Sequence, residues 1–196
     1  MSSLAILICT IPERFEKLKR LKNILEPQVE RFKDQVFISI NDQGRQTPTG
    51  TKRNLLLEQT QSDYFSFIDD DDMVSAFYVD EIVKAMTHNP DVITFNGWYT
   101  EYGNNRRNFT IRLGSKYYED AHDPKFYYHR FPNHLAVMKR SLVNRIKFPD
   151  VWQLEDFKWA EQIANRGLLK SEYHIDEFIY HYDCNPVKNA RPTRVR

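Results

Sequence analysis

The chain has 196 residues, 28 of them basic and 27 acidic, for a formal net charge of +1. Apolar residues make up 41% and aromatics 14%, which excludes a disordered or low-complexity chain. The near-zero charge excludes a general polyanion binder, no apolar run approaches a membrane span, and Cys9 and Cys184 stand far apart without a CxxC, as expected of a reduced, cytoplasmic protein.

Leu4–Cys9 is a continuous apolar run with no basic residue before it. It predicts a strand buried on both faces, not a signal peptide. After Pro12, Leu18, Leu21 and Leu25 recur at helical spacing and predict a helix ending near Pro27. Val36–Ile40 predicts a second strand, closed by the turn cluster Asn41-Asp42-Gln43-Gly44. Thr51–Thr60 predicts a second helix and Tyr64–Ile68 a third strand. Ser75 is placed to cap a third helix with Val79, Ile82, Val83 and Met86 on one face, and Asp91–Phe95 predicts a fourth strand. Then the character changes. Tyr99–Leu113 predicts a hairpin around Gly103-Asn104-Asn105, and His134–Lys139 a strand. Glu155–Asn165 predicts a helix with Phe157, Ala160, Ile163 and Ala164 inward, stopped by Gly167. Tyr173–Tyr182 predicts a last strand. Repeated strand–helix units imply an α/β fold whose mixed, mainly parallel central sheet is flanked by helices. One domain is expected over residues 1–185, then a basic tail, 186–196.

The strongest local feature is Phe67-Ile68-Asp69-Asp70-Asp71-Asp72. An apolar strand delivers four carboxylates at its carboxyl end, where open α/β sheets bind ligands. Adjacent carboxylates repel, and a hard divalent cation, Mn²⁺ or Mg²⁺, is the natural remedy. Strand alternation would put Asp69 and Asp71 on one side. A solvated acidic loop is the plain alternative. An EF-hand does not fit, because Val74 and Asp80 stand where Gly and Glu belong. Asp70-Asp71-Asp72-Met73-Val74 also has the look of a phosphohydrolase of the haloacid-dehalogenase type. A second acidic pair, Glu155-Asp156, opens the late helix; it suits the helix dipole, and equally a base beside an acceptor hydroxyl.

Taken together, these residues resemble a glycosyltransferase of the GT-A fold, family 2 type. The resemblance runs from residue 4 to about residue 183. It rests on Thr10-Ile11-Pro12-Glu13-Arg14 after the first strand, Ile40-Asn41-Asp42 after the second, Lys52-Arg53-Asn54 at a helix start, the Ile68–Asp72 run, and Glu155-Asp156. The loop from Gln43 to Gly50 departs from the family pattern by being short.

The resemblance implies a metal-dependent, inverting transfer of a sugar from a nucleotide diphosphate, UDP favoured, to an acceptor hydroxyl on a glycan, a lipid-linked sugar or another molecule. Residues 1–95 would bind the nucleotide and 96–185 the acceptor. Thr10, Pro12 and Arg14 would line the nucleotide pocket, Asp42 would contact uracil or ribose, and Arg53 the base or phosphates. Asp69 or Asp70 would contact ribose or sugar. Asp71 would hold the metal, with His181 completing its shell. Asp156, beside Glu155, would be the base. Trp98, His134 and Trp152 are candidates for the acceptor cleft, since sugars stack on aromatic faces. The tail residues Lys188, Arg191, Arg194 and Arg196 suit an exposed extension, or a contact with anionic lipid, nucleic acid or a diphosphate acceptor. A non-catalytic sugar- or nucleotide-binding module of the same fold is the other reading.

Overall fold

The computed structural model of the chain describes residues 1–116, 125–184 and the backbone of 119–120; the basic tail lies outside the described residues. In chain order the elements are β1 (Leu4–Cys9), α1 (Phe15–Glu30), β2 (Val36–Asn41), α2 (Thr49–Gln59), β3 (Tyr64–Phe67), β4 (Met73–Val74), α3 (Tyr78–Met86) and β5 (Val92–Glu101). There follow β6 (Asn104–Ile111), β7 (Glu119–Asp120), β8 (Tyr128–Arg130), β9 (Val137–Lys139), α4 (Arg140–Val143), α5 (Glu155–Asn165) and β10 (Glu172–Cys184).

One mixed sheet carries the core. β1 lies between β2 and β3, parallel to both, which is why Leu4–Ile8 are apolar on both faces and buried. β2 is the edge and leaves Phe37 and Ile40 exposed. β9 runs antiparallel between β3 and the start of β5. The far half of β5 turns back into β6 through Tyr102 and Gly103, both at positive φ. β10 lies parallel along the other side of β5 and also pairs antiparallel with β4. β5 thus runs unbroken across residues 95 and 96, between the two expected halves.

Four local expectations need correction. α1 does not end at Pro27 but passes through it to Glu30. The cost of the missing N–H is met by tertiary contacts of the next residue: buried Gln28 donates to the Ile24 and Ser75 carbonyls and accepts from Val79 N–H, all at 2.9–3.0 Å. The same contact replaces Ser75 as the cap of α3, which starts three residues later, at Tyr78. The fourth strand is twice the expected length because β10 and β6 pair with its second half. On α5, Trp159 is buried with Ala160 and Ile163, while Ala164 is exposed and Phe157 only partly covered. Trp159 stacks on Phe148 at 4.4 Å and donates to the Ile146 carbonyl. Gly167, at φ +56°, ends the helix as expected.

Candidate active site

β1 and β3 are parallel neighbours, so their carboxyl ends open on the same edge of the sheet. There a cleft of about 530 Å³ is walled by Thr10, Arg14, Lys52, Arg53, Asp69, Asp70, Asp71, Trp152, Glu155, Tyr182 and Asp183, with Cys9, Ile11, Arg45, Thr47 and Thr49 completing it.

The aspartate run forms the floor, but not as an extended strand. β3 stops at Phe67, and Asp72 N–H closes a turn on the Asp69 carbonyl at 3.0 Å. Strand alternation therefore does not hold, and the four carboxylates point four ways. Asp69 meets Arg53 at 2.9 Å and His134 at 3.4 Å. Asp70, buried, accepts from Thr10 Oγ1 and Arg14 Nη1, both at 2.7 Å. Asp71, partly exposed, faces Lys17 at 3.2 Å and Arg14 at 3.4 Å. Asp72 turns inward, where the Tyr180 hydroxyl donates to it at 2.7 Å. Burial, with Asp69 close by, pushes Asp72 well above the usual carboxylate range. Burial also raises Asp70, against the pull of Thr10 and Arg14. Asp69 goes the other way: burial opposes it, yet Arg53 and His134 hold its carboxyl below the usual range.

α2 supplies the second wall. Its Gly50 lies so close to the loop before α5 that a Cβ there would sit 1.9 Å from the Pro149 carbonyl oxygen. Asn54 grips the same loop with both ends of its amide, donating to Phe148 O at 2.8 Å and accepting from Phe148 N–H at 2.9 Å. Lys52 donates to the carbonyls of Thr10 and Gln43, which ties α2 to the ends of β1 and β2. Arg53 is buried over the rings of Phe67 and Phe148 and also approaches Glu155 at 3.5 Å. These contacts place the start of α5 over the cleft. The residue before it, Leu154, has φ +63°, an unfavourable conformation for a leucine. Burial raises Glu155 above its ordinary value despite Arg53.

Of the expected site residues, the structure gathers Thr10, Arg14, Arg53, Asp69, Asp70, Asp71, Trp152 and Glu155 in one cleft. Pro12 stands behind them, opening the helical turn Pro12–Arg14 that delivers Arg14. Asp156 lies next to the cleft wall, 3.5 Å from His134 Nδ1. His134, expected in an acceptor cleft, is buried between Asp69 and Asp156 and is not part of the cleft lining. Asp42 is exposed just beyond the end of β2, outside the cleft lining. Trp98 is also outside: it stacks on Phe178 at 5.5 Å beneath Arg106. His181 does not line the cleft, and its Nε2 is 2.8 Å from Thr100 Oγ1. The residues of β10 that do line it are Tyr182 and Asp183, the latter fixed by Thr100 Oγ1 at 2.6 Å and Gly103 N–H at 2.7 Å. Those bonds hold its carboxyl below the usual range against the effect of burial. The residue pattern gives no role to Asp183, Arg45 or, beyond its place beside Arg53, Lys52; an acid two residues beyond His181 on the same strand is the available signal for the first.

Among the described residues, no three His, Cys, Asp or Glu side chains converge as a metal-holding group. Mg²⁺ and Mn²⁺ are nevertheless commonly held by one or two carboxylates together with substrate phosphates. Asp71 and Asp183, both hard oxygen donors in the cleft wall, fit a cation shared with a diphosphate and not a cage of protein ligands.

Residues 19–147 match the model of glycosyl transferase family 2. The chain belongs to that family. Membership decides between this reading and the phosphohydrolase. No curated protein matches the chain. Among solved structures, it is similar to S. aureus TarS 1–349, with a TM-score of 0.61 and 14% identity over 92% of this chain and 60% of that one. The complex of TarS 1–349 with UDP-GlcNAc gives a TM-score of 0.64 and 12% identity, over 93% and 59%. The complex with UDP gives 0.62 and 13%, over 94% and 61%. The family 2 chain thus spans about 60% of the length of these neighbours, and at such identity the likeness establishes the GT-A fold alone. No described helix is long and apolar enough to cross a membrane.

Proposed function

We propose that this family 2 domain moves a sugar from a nucleoside diphosphate, UDP favoured, to an acceptor hydroxyl with inversion at the anomeric carbon. The observation that carries this reading is the cleft itself. It gathers the cations Arg14, Lys52 and Arg53, the acids Asp69–Asp71 and Glu155, with Asp156 next in sequence at the start of α5. The choice of UDP is supported by the similarly folded TarS, solved with UDP and UDP-GlcNAc.

In this mechanism Arg14 and Lys52 face the diphosphate, and Arg53 fixes Asp69 against ribose or sugar. Asp71 and Asp183, both in the cleft wall, would hold Mn²⁺ or Mg²⁺. When bound, that cation offsets the charge that grows on the departing diphosphate. Asp156 takes the proton of the acceptor hydroxyl as its oxygen bonds to the anomeric carbon, and the sugar–phosphate C–O bond breaks with its electrons going to the diphosphate. Glu155 steadies Arg53. Trp152, 53% exposed at the cleft, offers an aromatic face to a sugar ring. Positioning and charge do the work, so no nucleophilic side chain is required.

The test is a melting-temperature panel of nucleoside diphosphates and UDP-sugars with and without Mn²⁺, followed by a search for UDP release. UDP with Mn²⁺ is expected to stabilise the protein and Asp71→Ala to remove the gain. A protein that no nucleotide stabilises would overturn the reading.

A further inference from the structure

We infer that His134 is a positioning residue that holds the Asp156 carboxylate in register with Asp69, so that the acceptor side of the cleft is tied to the donor side through one imidazole. This rests on the reading of Asp156 as the base.

The ring is built in. His134 is 5% exposed. Its carbonyl accepts Phe67 N–H at 3.0 Å, at the last residue of β3, so its backbone is fixed to the strand that leads into the aspartate turn. The preceding Asn133 folds its side chain over Leu135 N–H at 3.1 Å, which sets the direction in which His134 leaves the chain. The imidazole then spans two carboxylates: Nε2 is 3.4 Å from Asp69 Oδ2, and Nδ1 is 3.5 Å from Asp156 Oδ2. Nδ1 is buried and makes no hydrogen bond at that distance. A buried nitrogen that faces a carboxylate just beyond bonding range gains most if the contact closes, and contacts of this kind tighten when substrate is bound.

The consequence is directional. With a hydrogen on each ring nitrogen, Nε2–H faces Asp69 and Nδ1–H occupies one oxygen of Asp156, leaving the other to receive the acceptor proton. The ring's far side is held by Asp69, whose other oxygen is on Arg53 at 2.9 Å in the cleft wall. His134 neither gains nor loses a proton in the transfer; the acceptor hydroxyl proton goes to Asp156.

The experiment separates the two ring nitrogens. In His134→Asn the amide N–H falls near the place of Nδ1, and in His134→Gln near that of Nε2. The probe is UDP-GlcNAc with water as acceptor, read by UDP release alongside UDP affinity and melting temperature. His134→Phe and His134→Gln are expected to lower kcat on the order of 100-fold with KM nearly unchanged. His134→Asn is expected to recover most of that loss. In addition, the ¹⁵N resonance of His134 Nδ1 in the UDP-bound protein is expected to shift in Asp156→Asn. Asn and Gln variants with equal kcat, a Phe variant that keeps it, or an unmoved Nδ1 resonance would overturn the inference. If Asp156→Asn itself keeps full turnover, the assignment of the base fails instead, and the inference with it. An inactive Asp156→Asn with an unaffected His134→Phe removes only the positioning role.

Discussion

Arg53 and Asp69 form the ion pair on which the cleft is organised: the guanidinium lies 2.9 Å from the carboxylate, over the rings of Phe67 and Phe148, with Glu155 at 3.5 Å. Lysine cannot replace it, because an ammonium cannot lie flat over two rings while reaching both acids. Arg53→Lys is expected to lose about 2–3 kcal/mol of stability, less than a fully buried pair because Asp69 is partly exposed. Urea unfolding measures the loss, and weaker UDP binding by calorimetry should accompany it.

Gly50 packs against Pro149 more closely than any side chain permits. Gly50→Ala forces the loop before α5 away from α2 and carries Glu155 and Asp156 out of place. UDP release should fall at least tenfold, since a shift of about 1 Å in a catalytic group can cost 100-fold. Near-normal turnover would show that the loop yields without moving the helix.

Leu154 is held at φ +63° while half exposed. Asparagine tolerates that conformation, and little buried surface is lost. Leu154→Asn is expected to gain about 0.5–1 kcal/mol, or about 1–4 °C in Tm. A lower melting temperature would show that the leucine side chain contributes more than its strain costs.

The thiol of Cys9, in the cleft wall, is pushed up to about 12 by burial from an ordinary 9.0, with Arg53 pulling the other way. The folded state therefore keeps its proton where the unfolded state releases it. Stability unaffected below pH 9 is lost as pH rises from 9 towards 12, with a slope of about one proton. Urea midpoints of the parent and Cys9→Ser across pH 8 to 10.5 check this; the variant should show the flatter fall. Alkylation of Cys9 at pH 8, in a Cys184→Ser background, should be slow until the protein unfolds.

Much of the frame was legible in the residue pattern. β1 and α5 have the expected limits, because a strand apolar on both faces and a helix closed by Gly167 are local signals. So was the meeting of Thr10, Arg14 and Arg53 with the aspartates, which follows once parallel strands end on one edge. What local patterns could not show depends on partners distant in sequence. Gln28 carries α1 past Pro27 only because Ser75 and Val79 lie beside it. His134 stands far in sequence from both Asp69 and Asp156, and only the fold puts an acid on each side of it. His181 and Asp183 sit on one strand, and which of them reaches the cleft depends on pairing with Thr100 and on the irregular register between β10 and β5.

The inward turn of Asp72 has a consequence for electrostatics. Its carboxyl is held by Tyr180 and shielded from solvent, so it adds little to the field that an incoming anion meets. The tetrad written in the primary structure overstates the negative potential at the mouth of the cleft. The fourth aspartate works as a rivet: it pins the turn to β10, so that Asp183, one strand away, is indexed to the other three.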